Sequence, residues 1–398
     1  MELLKKLIHH CYGTVPYYRQ LMDEQGIDAN GVKALEDIKQ FPVLTKKDVL
    51  QAGRSIVSTK YPKWLMRTAR TGGTTGTPLR ISRTLFSIGD EHAFVRRQWD
   101  WANIGFADRC AWLVAGRRIT SNEQNKNIYA YDPFMKELTL SAFHLSSKNA
   151  EVYAEAMQHY QVKAIVGISS AIYFLAKVCM DSGIRVELRS ALTTSETITE
   201  PMKEVIASAF GCRVFDFYGA AERVCYIHTC EHGFYHIIPE YGLTELIPTD
   251  NGENNQFRII GTGFWNLGMP LIRYDTGDIV VKSGKSCPCG REFPVIESVS
   301  GRRIDTIKTL SGKEYGPTFL ARVIKGANNI LGSCIIQTSL DCIQIEYIPG
   351  LNFSDDDLLK FQKHLSAYLP NELKFSLKQV DVLPKSSTGK PKFVISGL

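Results

Sequence analysis

Along the first hundred residues, two runs space their apolar positions at helical intervals: KKDVLQAGRSIV from Lys46 and FSIGDEHAFVRRQWDWANIG from Phe86. Further on, helix-period segments alternate with short β-branched ones. AEAMQHYQV is followed by KAIVGIS, SAIYFLAKVCMDSGI by RSALTTSE, and TEPMKEVIASAFG by CRVFDFYG. Repeated helix-then-strand order predicts an α/β (α+β mixed) body with a substantial parallel or mixed sheet. Around Tyr235 the texture changes, and YHIIPEYGLTELIPTDNGENNQFRIIGTGFW and DIVVKSG read as short strands joined by turns, a β-rich subdomain. Past VSGRRIDTIKT, the run CIIQTSLDCIQIEYIP predicts a hairpin turning near Asp341. SDDDLLKFQKHLSAYLP then predicts a helix with Ser354 as N-cap, an acidic first turn, and a stripe of Leu358, Leu359, Phe361, Leu365 and Leu369. The expected division is a large N-terminal domain, 1–302, and a small C-terminal one, 303–398.

Between the first two helical runs lies RTARTGGTTGTPLRI, Arg67 to Ile81, with apolar residues resuming at once on both sides. Glycines let successive backbone N–H groups point into one concavity, and threonine hydroxyls add donors beside them, which is the chemistry of a phosphate cradle. The lysine-bearing G-x-x-x-x-G-K-[ST] loop is absent, because Gly76 is followed by Thr77 and Pro78; a conventional P-loop ATPase is disfavoured.

Bulk composition narrows the classes further. A chain of 398 residues exceeds what one core usually supports, and 44% hydrophobic with 22% charged residues is ordinary for a globular protein. The net charge of +6 is spread along the chain with no basic run, so nucleic acid is not demanded, while a polyanionic small ligand suits it. Lys5, Lys6, His9 and His10 interrupt the N-terminal apolar residues, and no stretch approaches a membrane span; a cytoplasmic protein is expected. Most of the ten cysteines lack a framework, which suits free thiols in a reducing compartment. Four residues differ: Cys230 and His236 in CEHGFYH, with Cys287 and Cys289 in CPCG, form a tetrahedral zinc set without a vacancy for water, a structural clip. His232 and His228 compete for the histidine place.

Behind the glycine loop, FDFYGAAER, MPLIRYDTGD, GRRIDTIK and LPKSSTGKPKF follow in order. This series resembles the motifs of the adenylate-forming superfamily of acyl and aryl coenzyme A ligases, and within it the phenylacetate coenzyme A ligase branch, including members described as capsular polysaccharide biosynthesis proteins. The resemblance spans nearly the whole chain. It implies that Thr71, Gly72, Gly73, Thr74, Thr75, Gly76 and Thr77 hold the β and γ phosphates of ATP, with Arg80 able to replace the lysine missing after Pro78. Glu222 becomes a magnesium ligand, Tyr218 with Gly219 lies against the adenine, Asp278 accepts from the ribose hydroxyls, and Arg302 donates to ribose or phosphate. Lys390 becomes the mobile catalytic lysine, with Lys392 and Lys385 as alternatives, and the domain hinge falls near Arg303 to Asp305. The implied activity is AMP-forming activation of a small, aryl or similar carboxylic acid, with transfer to the thiol of coenzyme A. Alternative acceptors are a carrier-protein thiol, an amine or a sugar, and a non-catalytic homologue is the reading from another class. Partners are thus the acid and coenzyme A or a carrier protein, with a homodimer allowed and no membrane insertion.

Overall fold

The computed structural model describes residues 1–70, 79–114, 128–249, 255–302, 307–315, 323–324, 329–350, 353–384 and 394–396. Along the chain the helices are α1 (Glu2–Thr14), α2 (Pro16–Gln25), α3 (Lys46–Ala52), α4 (Leu85–Trp101), α5 (Ser147–His159), α6 (Ser169–Asp181), α7 (Glu200–Phe210) and α8 (Asp355–Tyr368). The first strands are β1 (Met66–Arg70), β2 (Arg80–Thr84), β3 (Cys110–Val114), β4 (Tyr129–Asp132), β5 (Glu137–Ser141), β6 (Ala164–Ile168) and β7 (Ser190–Thr194). Next come β8 (Arg213–Gly219), β9 (Tyr226–Thr229), β10 (Tyr235–Ile237), β11 (Gly242–Pro248), β12 (Gln256–Gly263), β13 (Tyr274–Lys282) and β14 (Val295–Arg302). The last are β15 (Ile307–Lys308), β16 (Glu314–Tyr315), β17 (Ile330–Ser339), β18 (Cys342–Pro349), β19 (Lys374–Gln379) and β20 (Val394–Ser396). Among the described residues no helix is long and apolar enough to cross a membrane. The chain divides into two compact units, Met1–Trp101 with Phe217–Val299, and Ala102–Asp216 with Ser300–Leu398.

In the second unit, β7, β6, β3 and β5 run parallel in that order, and β4 closes the edge antiparallel to β5. β6 (AIVGI) is buried along its whole length, as a strand covered on both faces must be. The same unit holds β17 and β18 as the expected hairpin, flanked by β20 and β19, each parallel to its neighbour. Their core closes over Phe361, Leu365 and Leu369 of the α8 segment. Ser354 caps α8 in a reciprocal box with Asp357. One expected member of the α8 stripe is corrected: Leu359 is exposed, because Asp357, Phe361 and Leu365 define the buried face and Leu359 lies two residues off it.

The first unit opens with α1 and α2, amphipathic helices outside the sequence expectation. Leu4, Leu7, Ile8 and Cys11 of α1 and Tyr18 and Met22 of α2 pack with Ile81, Leu271, Ile272 and Tyr274. Pro16 starts α2 where a missing N–H costs nothing, and Gly26 ends it in the left-handed region. The β-rich part follows the order β11, β12, β13, β14, β10, β9, β8. β8 and β13 are thus four strand steps apart, roughly 19 Å in a flat sheet. Yet the Tyr218 hydroxyl donates to Asp278 Oδ2 at 2.6 Å, so the sheet curls back on itself. The interior of the curl is filled by Cys225, Ile227, Tyr235, Ile237, Ile259, Val280 and Ile296.

Closure depends on the absence of side chains. A β-carbon on Gly263 would lie 2.2 Å from the Arg223 carbonyl oxygen, and one on Gly242 or Gly261 would meet the Val224 carbonyl oxygen at 2.7 or 2.8 Å. Gly263→Ala is therefore expected to lower stability by about 1–3 kcal/mol, the usual cost of overpacking. Urea unfolding measures it, and an unchanged midpoint would show that the turn gives way freely.

Candidate active site

The β8–β9 connection carries the FDFYGAAER string around this closure point. β8 pairs with β9 at Phe217↔His228, Tyr218↔Ile227 and Gly219↔Tyr226, so Tyr218 faces the interior of the curl while Phe217 and Tyr226 face the other way. Gly219 has no room for a larger residue, since a β-carbon there would lie 2.3 Å from the Phe217 ring. Burial and the neighbouring Asp278 carboxylate hold the Tyr218 hydroxyl well above its ordinary pKa, so it stays a donor. Burial likewise pushes the Cys225 thiol up.

Glu222 is 8% exposed, and its Oε1 accepts from the Tyr274 hydroxyl at 3.1 Å. Its Oε2 makes no hydrogen bond among the described residues. A nearly buried carboxylate with one oxygen unspent suits a hard divalent cation. The next residue, Arg223, sits at φ +58° in the left-handed region, unusual for an arginine. It is held there by donation to the Ser87 carbonyl and by Glu91, 3.7 Å away, both on α4. Glu91 also accepts from the Tyr241 hydroxyl at 2.5 Å. Tyr218, Glu222 and Asp278 are thus brought together in one unit. Thr71 to Thr77, Arg303 to Asp305, and Lys385, Lys390 and Lys392 lie outside the described residues, as does the side chain of Arg302.

At the other end of β9 stands the cysteine–histidine group. The ligand atoms of Cys230, His236, Cys287 and Cys289 all lie within 4.8 Å of one another. Cys230 and Cys287 sulfurs are 3.5 Å apart, and His236 Nε2 is 3.5 Å from Cys289 Sγ. His236 Nδ1 faces the Phe293 carbonyl at 3.4 Å, leaving Nε2 for the sulfurs, and burial keeps the imidazole neutral by lowering its pKa. Backbone N–H groups of His232 and Cys289 donate to Cys230 and Cys287 sulfur at 3.4 and 3.5 Å. The other histidines stand apart: the His232 ring is exposed, and His228 packs 4.4 Å from Trp101, its pKa lowered to about 3 by burial. Trp101 ends α4 and is covered by the Arg291 guanidinium, 3.9 Å from its ring, which in turn pairs with Glu231 at 2.8 Å.

Sequence reasoning did not single out Arg83, Glu91, Arg223, Tyr241, Tyr274 or Trp101. For Arg83 a signal existed. Strand alternation puts it on the same face as Ile81, which is buried, while Arg80 at the start of the strand is itself exposed.

The CapK C-terminal domain family matches residues 309–397. Protein CapK of Staphylococcus aureus is 22% identical over 96% of this chain and 85% of its own length. The phenylacetate-coenzyme A ligase of Thermus thermophilus is 25% identical over 81% of this chain and 74% of its own. Among solved structures, 2-hydroxyisobutyryl-CoA ligase in the postadenylation state with 2-HIB-AMP superposes with a TM-score of 0.75 at 17% identity, covering 99% of this chain and 88% of that one. An anthranilate CoA ligase in complex with anthranoyl-AMP gives 0.54 at 15% identity, over 81% and 65%. The chain is thus similar along most of its length to CapK and to the phenylacetate-coenzyme A ligases, and it shares the fold of an acyl-CoA ligase.

Proposed function

We propose that the chain is an AMP-forming ligase that activates a small carboxylic acid, aryl or similar, with ATP and passes the acyl group to the thiol of coenzyme A. The observation that carries this reading is that Tyr218 meets Asp278 and Tyr274 meets Glu222 within one curled sheet. A carboxylate is a poor partner for a polyanion, so attack on the α-phosphate requires positive charge where negative charge accumulates. Glu222 would hold magnesium, which would supply that charge on the phosphates. Tyr218 lies against the adenine, and its hydroxyl fixes Asp278, which accepts from the ribose hydroxyls. Lys390 bridges the acyl carboxylate and the α-phosphate region. A second acceptor class for the same adenylation is a carrier-protein thiol, an amine or a sugar.

Pyrophosphate release across aryl, fatty, amino and sugar acids, with and without coenzyme A, tests the reading. Release with at least one acid, and thioester when coenzyme A is added, is the expected result; release without thioester selects the second acceptor class. Glu222→Gln is expected to shift the magnesium titration of this release upward while the fold survives, and coincident titrations would remove Glu222 from the metal. Lys390→Ala is expected to slow adenylate formation by on the order of 10² to 10³ while largely sparing thioester formation from a prepared acyl adenylate. Equal loss in both half-reactions would refute that division.

We further propose zinc as a structural clip on Cys230, His236, Cys287 and Cys289, supported by the distances among their ligand atoms. Zinc held there would cross-link the β9–β10 turn to the Cys287–Cys289 loop. Elemental analysis is expected to give about one zinc per chain, and Cys287→Ser to lose both metal and thermal stability. Purified protein that is stable and metal-free counts against it.

A further inference from the structure

We infer that Arg83 binds the pyrophosphate end of ATP and is the cation that the glycine loop itself lacks; this rests on the adenylation reading. The chain enters β2 directly from the Thr71 to Thr77 stretch, and Arg83 is the fourth residue of that strand. Its Nη2 donates to the Ala221 carbonyl at 2.5 Å, the residue before Glu222. Its Nε is shielded from solvent and has no partner among the described residues. Nη1 makes no hydrogen bond among them either.

Two buried arginines of the same unit contrast with Arg83, which is half-buried with its Nε shielded. Arg273 makes a two-pronged bond to Glu245, at 2.9 and 3.0 Å, and donates to the Phe41 carbonyl. Arg223 has Glu91 and the Ser87 carbonyl. Arg83 has a single carbonyl and no carboxylate within ion-pair distance among the described residues. Burial, and then the neighbouring charge of Arg223, lowers its pKa, while Glu91, Tyr241 and Glu222 act in the opposite sense. Removing a guanidinium from water is costly unless an anion answers it.

The local charge balance identifies the kind of anion. Glu91 is committed to Arg223 and Tyr241, and Glu222 would be neutralised by the divalent ion it holds. The loaded site therefore carries excess positive charge beside Arg83. A polyphosphate supplies the opposite charge, and its oxygens match the donor fork of a guanidinium. Arg80 is exposed and falls on the opposite face of β2 from Arg83.

Calorimetric titration of the whole protein with ATP, pyrophosphate and AMP, each with magnesium, tests the assignment. Arg83→Gln is expected to weaken ATP and pyrophosphate by about tenfold or more and AMP by less than about twofold, with Arg83→Lys intermediate. Parallel weakening of AMP and ATP would reduce Arg83 to a clamp on the Ala221 carbonyl and overturn the inference. So would unchanged ATP affinity, or a loss found in Arg80→Gln instead. Should the glutamine variant fail to fold, Arg83→Lys alone is read by the same ATP-to-AMP ratio. Wild-type protein that binds none of the three ligands overturns the adenylation reading itself, a result distinct from any of these.

Discussion

The close approach of glycines 242, 261 and 263 to the Arg223–Val224 backbone is the constraint on which the first unit turns. Only with hydrogen in place of a side chain can β11 and β12 reach the β8–β9 connection and curl the sheet. Tyr218 and Asp278 then meet although four strand steps separate them, and Tyr274 reaches Glu222 across the same gap. No local feature of the YGAAER string creates these contacts; they follow from closure. The left-handed Arg223 is the backbone's concession to that geometry, and α4 holds it through Ser87 and Glu91.

Much of this was legible in the chain, and the parts that were not share a cause. The alternation of AEAMQHYQV with KAIVGIS and of TEPMKEVIASAFG with CRVFDFYG set the α/β body, because helix and strand periods differ along the sequence itself. Ser354 was readable as a cap because its partner, Asp357, is three residues away. Likewise, cysteines spaced C-x-C in one segment and C-x₅-H in another pointed to one tetrad, although 57 residues separate Cys230 from Cys287. Leu359 misled because hydrophobicity alone does not fix the phase of a helix at its edge. Arg223, Tyr241 and Tyr274 were invisible because their roles arise from contacts between segments that the sequence does not juxtapose.

One helix links the two chemically distinct regions of the first unit. α4 touches the Arg223 turn through Ser87 and Glu91 and touches the cysteine–histidine tetrad through Trp101. Trp101 is about 21 Å from Ser87 and about 15 Å from Glu91 at the rise of an α-helix. β9 runs between the same two regions, with Glu222 before it and Cys230 after it. A strand and a helix anchored at both ends make a stiff frame, so the tetrad bears on how firmly Glu222 is presented.

The stack of Arg291 on Trp101 has an optical consequence. An indole with a guanidinium 3.9 Å from its ring and the His228 imidazole 4.4 Å away emits in a strongly polarised surrounding, and its colour and yield depend on both neighbours. Arg291 lies two residues beyond Cys289, so movement of the Cys287–Cys289 loop shifts the cation over the ring. Of the five tryptophans whose emission sums, Trp101 is thus placed to report the state of the cysteine–histidine corner, and a chain with the other four replaced by phenylalanine isolates that signal.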